Sequence, residues 1–201
     1  MLTNSSALLV IDVQNDFCEG GALAVPDAQA IIDPINTLMP SFDTVVFSQD
    51  WHPSNHESFA SNHQGKSQYD VIDMDYGPQV LWPDHCIQGS QGADFDPRLD
   101  TDKAQMIVRK GFRASIDSYS AFFENDRSTP TGLDGYLKNR EITEVTLVGL
   151  ALDFCVQYTA LDARRLGYKV TVLQSACRAI DLDGSLKAAL DAMKAAGVVL
   201  K

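Results

Sequence analysis

The chain has 201 residues, of which 45% are hydrophobic and 21% charged, as is usual for a globular protein long enough to bury a substantial core. Its net charge of −11 argues against binding to nucleic acid or to an anionic membrane, and no apolar run is long enough to span a bilayer. The N-terminus, MLTNSSALLVIDVQNDF, lacks a basic segment, so it predicts a first strand rather than a signal peptide. The four cysteines form no CxxC pair, and we therefore expect a reduced, cytoplasmic protein.

Short runs rich in Val, Ile and Leu predict strands that are buried on both faces, as in a parallel sheet. The runs are ALLVID at 7–12, TVVFSQ at 44–49, MIVRK at 106–110, VTLVG at 145–149, KVTVL at 169–173 and GVVL at 197–200. The helical patterns between them lie at 28–38, 133–139, 153–166 and 183–197. Pro34 leaves the start of the first helix open. This alternation predicts one three-layer α/β/α domain over residues 1–201, with a central, mainly parallel, six-stranded sheet.

The segment 50–104 interrupts this alternation. It has no long periodic element, and it is rich in Pro, Gly, Asn, Asp and Ser. A loop of this length inside a compact domain is usually either functional or disordered. Because the segment contains both tryptophans and all four histidines, we predict that it is a functional loop region.

Reactive side chains stand at the carboxyl ends of four predicted strands: Asp12, Asp50 and Lys110 end the first three, and the fourth leads into Cys155. Ligands bind at this edge of an open parallel sheet, so the four side chains should converge on one crevice. Cys155 would begin a helix, where the helix dipole and a nearby ammonium lower a thiol pKa. The same residues also fit a structural interpretation, in which Cys155 is a small core residue and Asp12 and Lys110 form an ion pair.

A candidate metal site begins at the end of the second strand. Asp50 and His52 are alternate residues there, so both side chains can point to one side, and His85 lies further along the same segment. A carboxylate with two imidazoles can bind a divalent metal and leave positions open for water or substrate. His56, four residues beyond His52, fits a ligand, a hydrogen-bond partner of a ligand, or a surface residue.

Three aromatic residues, Phe17, Trp82 and Tyr119, lie near these motifs. Aromatic side chains are core residues by default. Phe17 follows the first strand, however, and Trp82 precedes His85 by three residues. A substrate with a flat ring could therefore stack between such side chains.

Five motifs, taken in order, resemble those of bacterial nicotinamidases/pyrazinamidases of the isochorismatase-like cysteine hydrolase superfamily. The motifs are LLVIDVQNDFCEGGALAVP, SQDWHPSNHESFA, LWPDHCIQGSQGADF, VRKGFRASIDSYSAF and VGLALDFCVQYTALDA. The resemblance covers essentially the whole chain. It implies the isochorismatase-like hydrolase fold and the hydrolysis of nicotinamide, and of pyrazinamide, to the acid and ammonia. It also implies a cysteine thioester intermediate and a role in NAD salvage.

The resemblance implies roles for individual residues. The catalytic triad falls on Asp12, Lys110 and Cys155. The ligands of one divalent metal fall on Asp50, His52 and His85. Zinc is favoured as the metal, with iron and manganese left open, and the metal is expected to orient the pyridine ring. His56 is left as a residue that supports the metal site.

The oxyanion hole is implied at the backbone N–H groups of Ala151 and Cys155, which would bind the developing oxyanion. In such enzymes a cis peptide bond precedes this segment, and here it would join Leu150 to Ala151. The residues expected to contact an aryl carboxamide substrate are Phe17, Trp82, Tyr119 and Leu150.

Several alternatives stay open at this point. Isochorismatases and N-carbamoyl amidases share the Asp, Lys and Cys but generally lack the metal motif, so DWHPSNH together with WPDHC favours a nicotinamidase. A water-activating metallohydrolase with a structural Cys155 is a second alternative, and a non-catalytic, metal-dependent binding domain is a third. A dinucleotide-binding domain is excluded, because DVQNDFCEGG is not a glycine-rich turn that opens a helix. The oligomeric state is open, a homo-oligomer included, and Cys18, Cys86 and Cys177 have no role beyond packing.

Overall fold

A computed structural model describes residues 5–201 of the chain. Its strands are β1 (Ser6–Ile11), β2 (Thr44–Asp50), β3 (Val71–Met74), β4 (Gly77–Val80), β5 (Met106–Lys110), β6 (Glu144–Gly149), β7 (Lys169–Cys177) and β8 (Val199–Leu200). Six of them form one sheet in the order β5-β2-β1-β6-β7-β8, and every neighbouring pair is parallel. The predicted α/β class and the six-stranded parallel sheet are confirmed.

Helices cover both faces of this sheet. They are α1 (Ile32–Leu38), α2 (Leu133–Asn139), α3 (Gln157–Arg165) and α4 (Ser185–Ala195). Along β1, Leu8 and Val10 join the core that contains α1, whereas Leu9 and Ile11 join the core that contains the other three helices. Burial on both faces explains why the strand has a continuous apolar run. Among the described residues, no helix has the length and apolar character needed to cross a membrane.

The predicted helices are present, but three of their boundaries differ. The first begins as a 3₁₀ turn at 28–31, and Pro34 falls in the first turn of α1, where its missing N–H removes no helical hydrogen bond. The third begins with one turn of π-helix, Leu152–Val156, before α3. The last begins at Ser185, because Gly184 before it has left-handed backbone angles.

Within the segment 50–104, the structure contains an element that the sequence pattern did not predict. Strands β3 and β4 form an antiparallel hairpin, separate from the main sheet. Each strand has only four residues, VIDM and GPQV, and the second contains a proline and a glycine. Such short segments have too few alternating positions to be recognised as strands.

The carboxyl ends of the central strands lie side by side. In the sheet register, Ile11 is opposite Gly149 and Asp50 is opposite Lys110. Strand β1 lies between β2 and β6 in the sheet, so the connections after β1 and β6 run to opposite sides of the sheet. A crevice opens at the carboxyl ends of these strands. Gly149 is required for this close approach, because its φ is 117° and a Cβ there would lie 2.1 Å from the Ile11 carbonyl oxygen.

Candidate active site

The crevice brings together the four reactive residues of the strand ends. Lys110 Nζ lies 2.8 Å from Asp12 Oδ2 and 3.5 Å from Cys155 Sγ. The same ammonium pairs with Asp50 Oδ1 and donates a hydrogen bond to the Ser118 carbonyl oxygen, 2.8 Å away. Lys110 is fully buried, so this ammonium is compensated entirely by protein groups.

Asp12 is suited to accept a proton from the thiol. Its Oδ1 accepts a hydrogen bond from Ser48 Oγ at 2.7 Å. Its Oδ2 lies 2.8 Å from Lys110 Nζ and, among the described residues, has no hydrogen bond of good geometry. A carboxylate oxygen of Asp12 lies within 4.8 Å of Cys155 Sγ. Burial raises the pKa of Asp12 to about 6 against the opposing effect of Lys110, so the carboxylate is more basic than usual.

The Cys155 thiol does not have the lowered pKa that its position at a helix start predicts. Burial raises its pKa well above the usual value; Lys110 acts in the opposite direction, and Asp12 and Asp50 raise it further. The prediction of a lowered pKa is therefore wrong for this arrangement, because burial and two carboxylates outweigh one ammonium. The thiol needs a base to become a nucleophile.

The turn that carries Cys155 follows a cis peptide bond between Leu150 and Ala151, as predicted. The Ala151 carbonyl accepts hydrogen bonds from the N–H groups of Phe154 and Val156, both at 3.1 Å. Cys155 lies between these two residues, in the first turn of a helix, where some of the backbone N–H groups have no carbonyl partner within the helix. Such N–H groups can bind a developing negative charge.

Two histidines and one carboxylate converge beside the thiol. Nδ1 of His52 lies 2.8 Å from the Gly111 carbonyl oxygen, and Nδ1 of His85 lies 2.8 Å from that of Pro83. A carbonyl only accepts, so in each neutral ring Nδ1 carries the proton and Nε2 a lone pair. The two Nε2 atoms lie 3.6 and 3.9 Å from Asp50 Oδ2. Burial lowers the pKa of His85 to about 4. Burial acts in the same direction on His52, but Asp50, Asp117 and the Gly111 carbonyl together raise the pKa of His52 above its usual value.

The three ligand atoms lie within 4.8 Å of one another, so they could hold one metal ion. A carboxylate oxygen with two imidazole nitrogens suits zinc, iron or manganese. Gly111 makes room for this arrangement, because its φ is 64° and a Cβ there would lie 2.3 Å from His52 Cε1. The donor set therefore fits the divalent metal that the resemblance implies.

His56 lies beside these three ligands. Its ring centroid is 4.4 Å from that of His52. Its Nδ1 lies 2.7 Å from Ser58 Oγ and accepts a hydrogen bond from the Ser58 N–H, while its Nε2 lies 3.3 Å from the Ile116 carbonyl oxygen. Both ring nitrogens thus have protein partners. With Asp117, His56 and His52 form a second group of neighbouring ligand atoms, which shares His52 with the first.

A cavity beside Cys155 has aromatic walls. Of the predicted substrate residues, Phe17, Trp82 and Tyr119 line it. Phe154 packs edge-to-face against Trp82 and Tyr119, with ring centroids 4.9 and 5.8 Å apart. The lining residues that the sequence did not predict are Leu23, Asp117, Phe154 and Ile180. A flat ring would fit between such walls.

Leu150, also predicted to contact the substrate, is not among the lining residues of this cavity. Its side chain is fully buried in the core that contains Val10 and Val148. That part of the prediction is corrected: the Leu150 side chain packs in the core, and only its peptide bond to Ala151 adjoins the turn that carries Cys155.

Two buried side chains, Gln14 and Asp153, and the half-buried Asp16 support the site and were not predicted. Gln14 binds both backbone groups of Asp50, donating to the carbonyl at 2.9 Å and accepting from the N–H at 2.8 Å. Asp16 accepts a hydrogen bond from the Cys86 N–H, next to His85, at 2.6 Å. Asp153 accepts from two N–H groups of the loop 180–181, at 3.0 and 2.7 Å. In the sequence, each of them is only a polar residue inside a motif. Their partners could not be predicted, because each contact joins segments that are distant in the chain.

Residues 6–201 match the family model described as the isochorismatase domain. The chain belongs to the isochorismatase family.

A nicotinamidase of Acinetobacter baylyi is 57% identical over 195 residues, which cover 97% of this chain and 91% of that protein. A nicotinamidase/pyrazinamidase structure from Acinetobacter baumanii superposes with a TM-score of 0.97 at 56% identity, covering 100% of this chain and 97% of the other. A pyrazinamidase of Pyrococcus horikoshii in complex with zinc gives a TM-score of 0.80 at 32% identity, covering 98% of both chains. The family predicted from the motifs is confirmed.

Proposed function

We propose that this protein is a nicotinamidase that hydrolyses nicotinamide, and also pyrazinamide, to the carboxylic acid and ammonia. The proposal rests mainly on one observation: a buried thiol with a carboxylate and an ammonium beside it opens on the same cavity as two metal-type ligands, Asp50 and His85. The relatives named as nicotinamidases support the substrate. An isochorismatase or N-carbamoyl amidase would need no such ligand set.

The first half-reaction begins with transfer of the Cys155 thiol proton to Asp12 Oδ2. Lys110 stabilises the thiolate, since its ammonium lies 3.5 Å from Sγ. Sγ then attacks the carboxamide carbon, and the carbonyl oxygen becomes an oxyanion. The backbone N–H groups of Ala151 and Cys155 donate hydrogen bonds to this oxyanion, and such donors are each worth on the order of 10²–10³ in turnover.

The tetrahedral adduct collapses when its nitrogen takes the proton from Asp12 and leaves as ammonia. A thioester on Cys155 remains, and Asp12 is again a carboxylate. Asp12 then takes a proton from a water molecule, whose oxygen attacks the thioester carbon. Expulsion of the thiolate gives the acid, and the proton on Asp12 returns to the thiol.

The residues that would hold the metal are Asp50, His52 and His85, and His56 would support His52 by packing against its ring. When bound, the ion supplies a Lewis-acidic position that a pyridine nitrogen can occupy. We propose zinc, because the related pyrazinamidase structure contains zinc. The side chains of Phe17, Trp82 and Tyr119 would then hold the ring between them.

We also propose a role in NAD salvage in the cytoplasm, which the proposed conversion of nicotinamide to its acid supports. We also propose that residues 1–201 act as a single hydrolase domain, in which the segment 50–104 supplies the metal ligands.

A coupled ammonia assay with nicotinamide tests the activity, and Cys155→Ala tests the mechanism. We expect metal-replete protein to release ammonia, Cys155→Ala to lose this activity, and the matched variant Cys177→Ala to keep it. Hydroxylamine should intercept the thioester of the unmodified protein as a hydroxamate. Full activity of Cys155→Ala would instead indicate a metal-activated water as nucleophile, and no ammonia release by metal-replete protein would refute the proposed function.

A further inference from the structure

A second cavity adjoins the substrate cavity, and Tyr119 lines both of them. The inner cavity is small, with about 20 Å³ of space, whereas the outer one has about 610 Å³. One side of the outer wall is apolar and consists of Val71, Pro78, Val80 and Tyr158; polar side chains, Asn125, Asp126 and Arg127, form most of the rest. Val71 is 59% exposed and has no function in the proposed mechanism. The outer cavity therefore has room and apolar surface for a second ring, in addition to one that binds beside Cys155.

Hydrogen bonds hold the Tyr119 side chain between the two cavities. Its hydroxyl oxygen lies 3.0 Å from two donors, Trp82 Nε1 and Gln79 Nε2. Gln79 is itself buried in β4, and its amide also donates to Asp117 Oδ2 at 2.8 Å. The hairpin formed by β3 and β4 thus fixes the hydroxyl end of Tyr119.

Aromatic packing holds the Tyr119 ring from the other direction. The ring packs edge-to-face against Phe154 on the substrate side and against Tyr158, which lines the outer cavity, with centroids 5.8 and 5.0 Å apart. Because hydrogen bonds hold its hydroxyl and two rings pack against it, the Tyr119 ring cannot easily move aside for a larger ligand.

We propose that Tyr119 determines the size of substrate that the site accepts, by closing the inner cavity against the outer one. The outer cavity would serve as a subsite for a second apolar ring once this side chain is removed. The substrate class is a pyridine carboxamide that carries an aryl substituent. This inference rests on the proposed nicotinamidase function, because the first ring must bind beside Cys155.

The test compares nicotinamide with a panel of nicotinamides that carry a phenyl group at ring position 4, 5 or 6. The quantity measured is the ratio of kcat/KM for a phenylnicotinamide to kcat/KM for nicotinamide. For at least one phenylnicotinamide, we expect this ratio to be about tenfold higher or more in Tyr119→Ala than in the unmodified protein. Tyr119→Phe keeps the ring and should keep the original ratio. Adding Val80→Trp to Tyr119→Ala should refill the outer cavity and lower the ratio again.

Unchanged ratios for the whole panel in Tyr119→Ala, or an equal increase in Tyr119→Phe, would overturn the inference. If Tyr119→Ala fails to fold, as judged by circular dichroism and Tm, Tyr119→Leu opens the wall in part and should move the ratio in the same direction. The unmodified protein distinguishes the two proposals: failure to hydrolyse nicotinamide refutes the nicotinamidase function, whereas hydrolysis with unchanged ratios refutes only the role of Tyr119.

Discussion

The sheet edge and the loop region contribute to the site in different ways. The sheet edge supplies Asp12, Asp50 and Lys110, whose positions follow from strand register and from burial on both faces. The loop region 50–104 supplies His85 and Trp82, which are held by hydrogen bonds between loop segments and by aromatic packing rather than by strand register. The groups proposed to transfer protons thus lie at the edge of the sheet, and most of those proposed to bind the ring and the metal lie in less regular structure.

Substitutions at the sheet edge should lower stability and turnover together. Lys110→Met would leave the carboxylates of Asp12 and Asp50 buried without their cation. We expect a loss of about 3–5 kcal/mol in the free energy of unfolding. We also expect turnover to fall on the order of 10³-fold or more, because the residues of a catalytic unit act together. Urea unfolding and steady-state kinetics measure the two effects, and the exposed Lys103→Met is the control.

Substitutions that act on the loop ligands should instead lower metal binding. Gly111→Ala would introduce a Cβ 2.3 Å from His52 Cε1 at a φ of 64°, so the imidazole must move. We expect metal content, measured by mass spectrometry after dialysis, and activity to fall together while circular dichroism stays unchanged. Gly135→Ala in α2 meets no atom within 4 Å and should keep the metal. Full metal content in Gly111→Ala would contradict the assignment of His52.

A smaller effect is expected where the sheet edge and the metal ligands meet. Gln14→Ala removes both hydrogen bonds to the Asp50 backbone. Residues that orient a metal ligand typically contribute about 10- to 100-fold to affinity, so zinc affinity should fall by about that factor. Competition with a chromogenic chelator measures it. The exposed Gln64→Ala is the control, and equal affinities of the two variants would exclude a positioning role for Gln14.

The smallest effect is expected at Ser48, whose hydroxyl donates to Asp12 Oδ1. Ser48→Ala removes one hydrogen bond and leaves the Lys110 ion pair intact. We expect a loss of about 1–3 kcal/mol in the free energy of unfolding, since the carboxylate oxygen loses its buried donor. Metal content should not change. A loss of metal in Ser48→Ala would show that the sheet edge and the loop ligands are not separable in this way.

Much of the sheet could be predicted from the sequence, because burial on both faces gives each strand a continuous apolar run. The six strands and the convergence of their carboxyl ends follow from this pattern. Helix boundaries were less accurate, since the π turn at Leu152–Val156 and the left-handed Gly184 depend on local backbone geometry. The hairpin β3–β4 was missed because its strands are too short to show a period.

The candidate site was also predicted unevenly. Motifs indicated the residues that we propose as the triad and the metal ligands, and three aromatic residues that line the cavity, but they could not indicate Gln14 or Asp153, whose partners are remote in sequence. The Leu150 side chain was assigned to the pocket although it packs in the core. The direction of the Cys155 pKa was wrong because a helix start predicts a lowered value, whereas burial and two carboxylates dominate.

The sequence by itself determined the fold class, the family and the residue types that can react, because these depend on local patterns and motif order. Only the tertiary structure decided that ligand atoms of Asp50, His52 and His85 lie close together and that the Cys155 thiol is buried beside Lys110. It also decided that Tyr119 lines two neighbouring cavities. The physical reason is distance: pKa values, ligand geometry and cavity walls depend on atoms a few ångströms apart in space, whatever their separation along the chain.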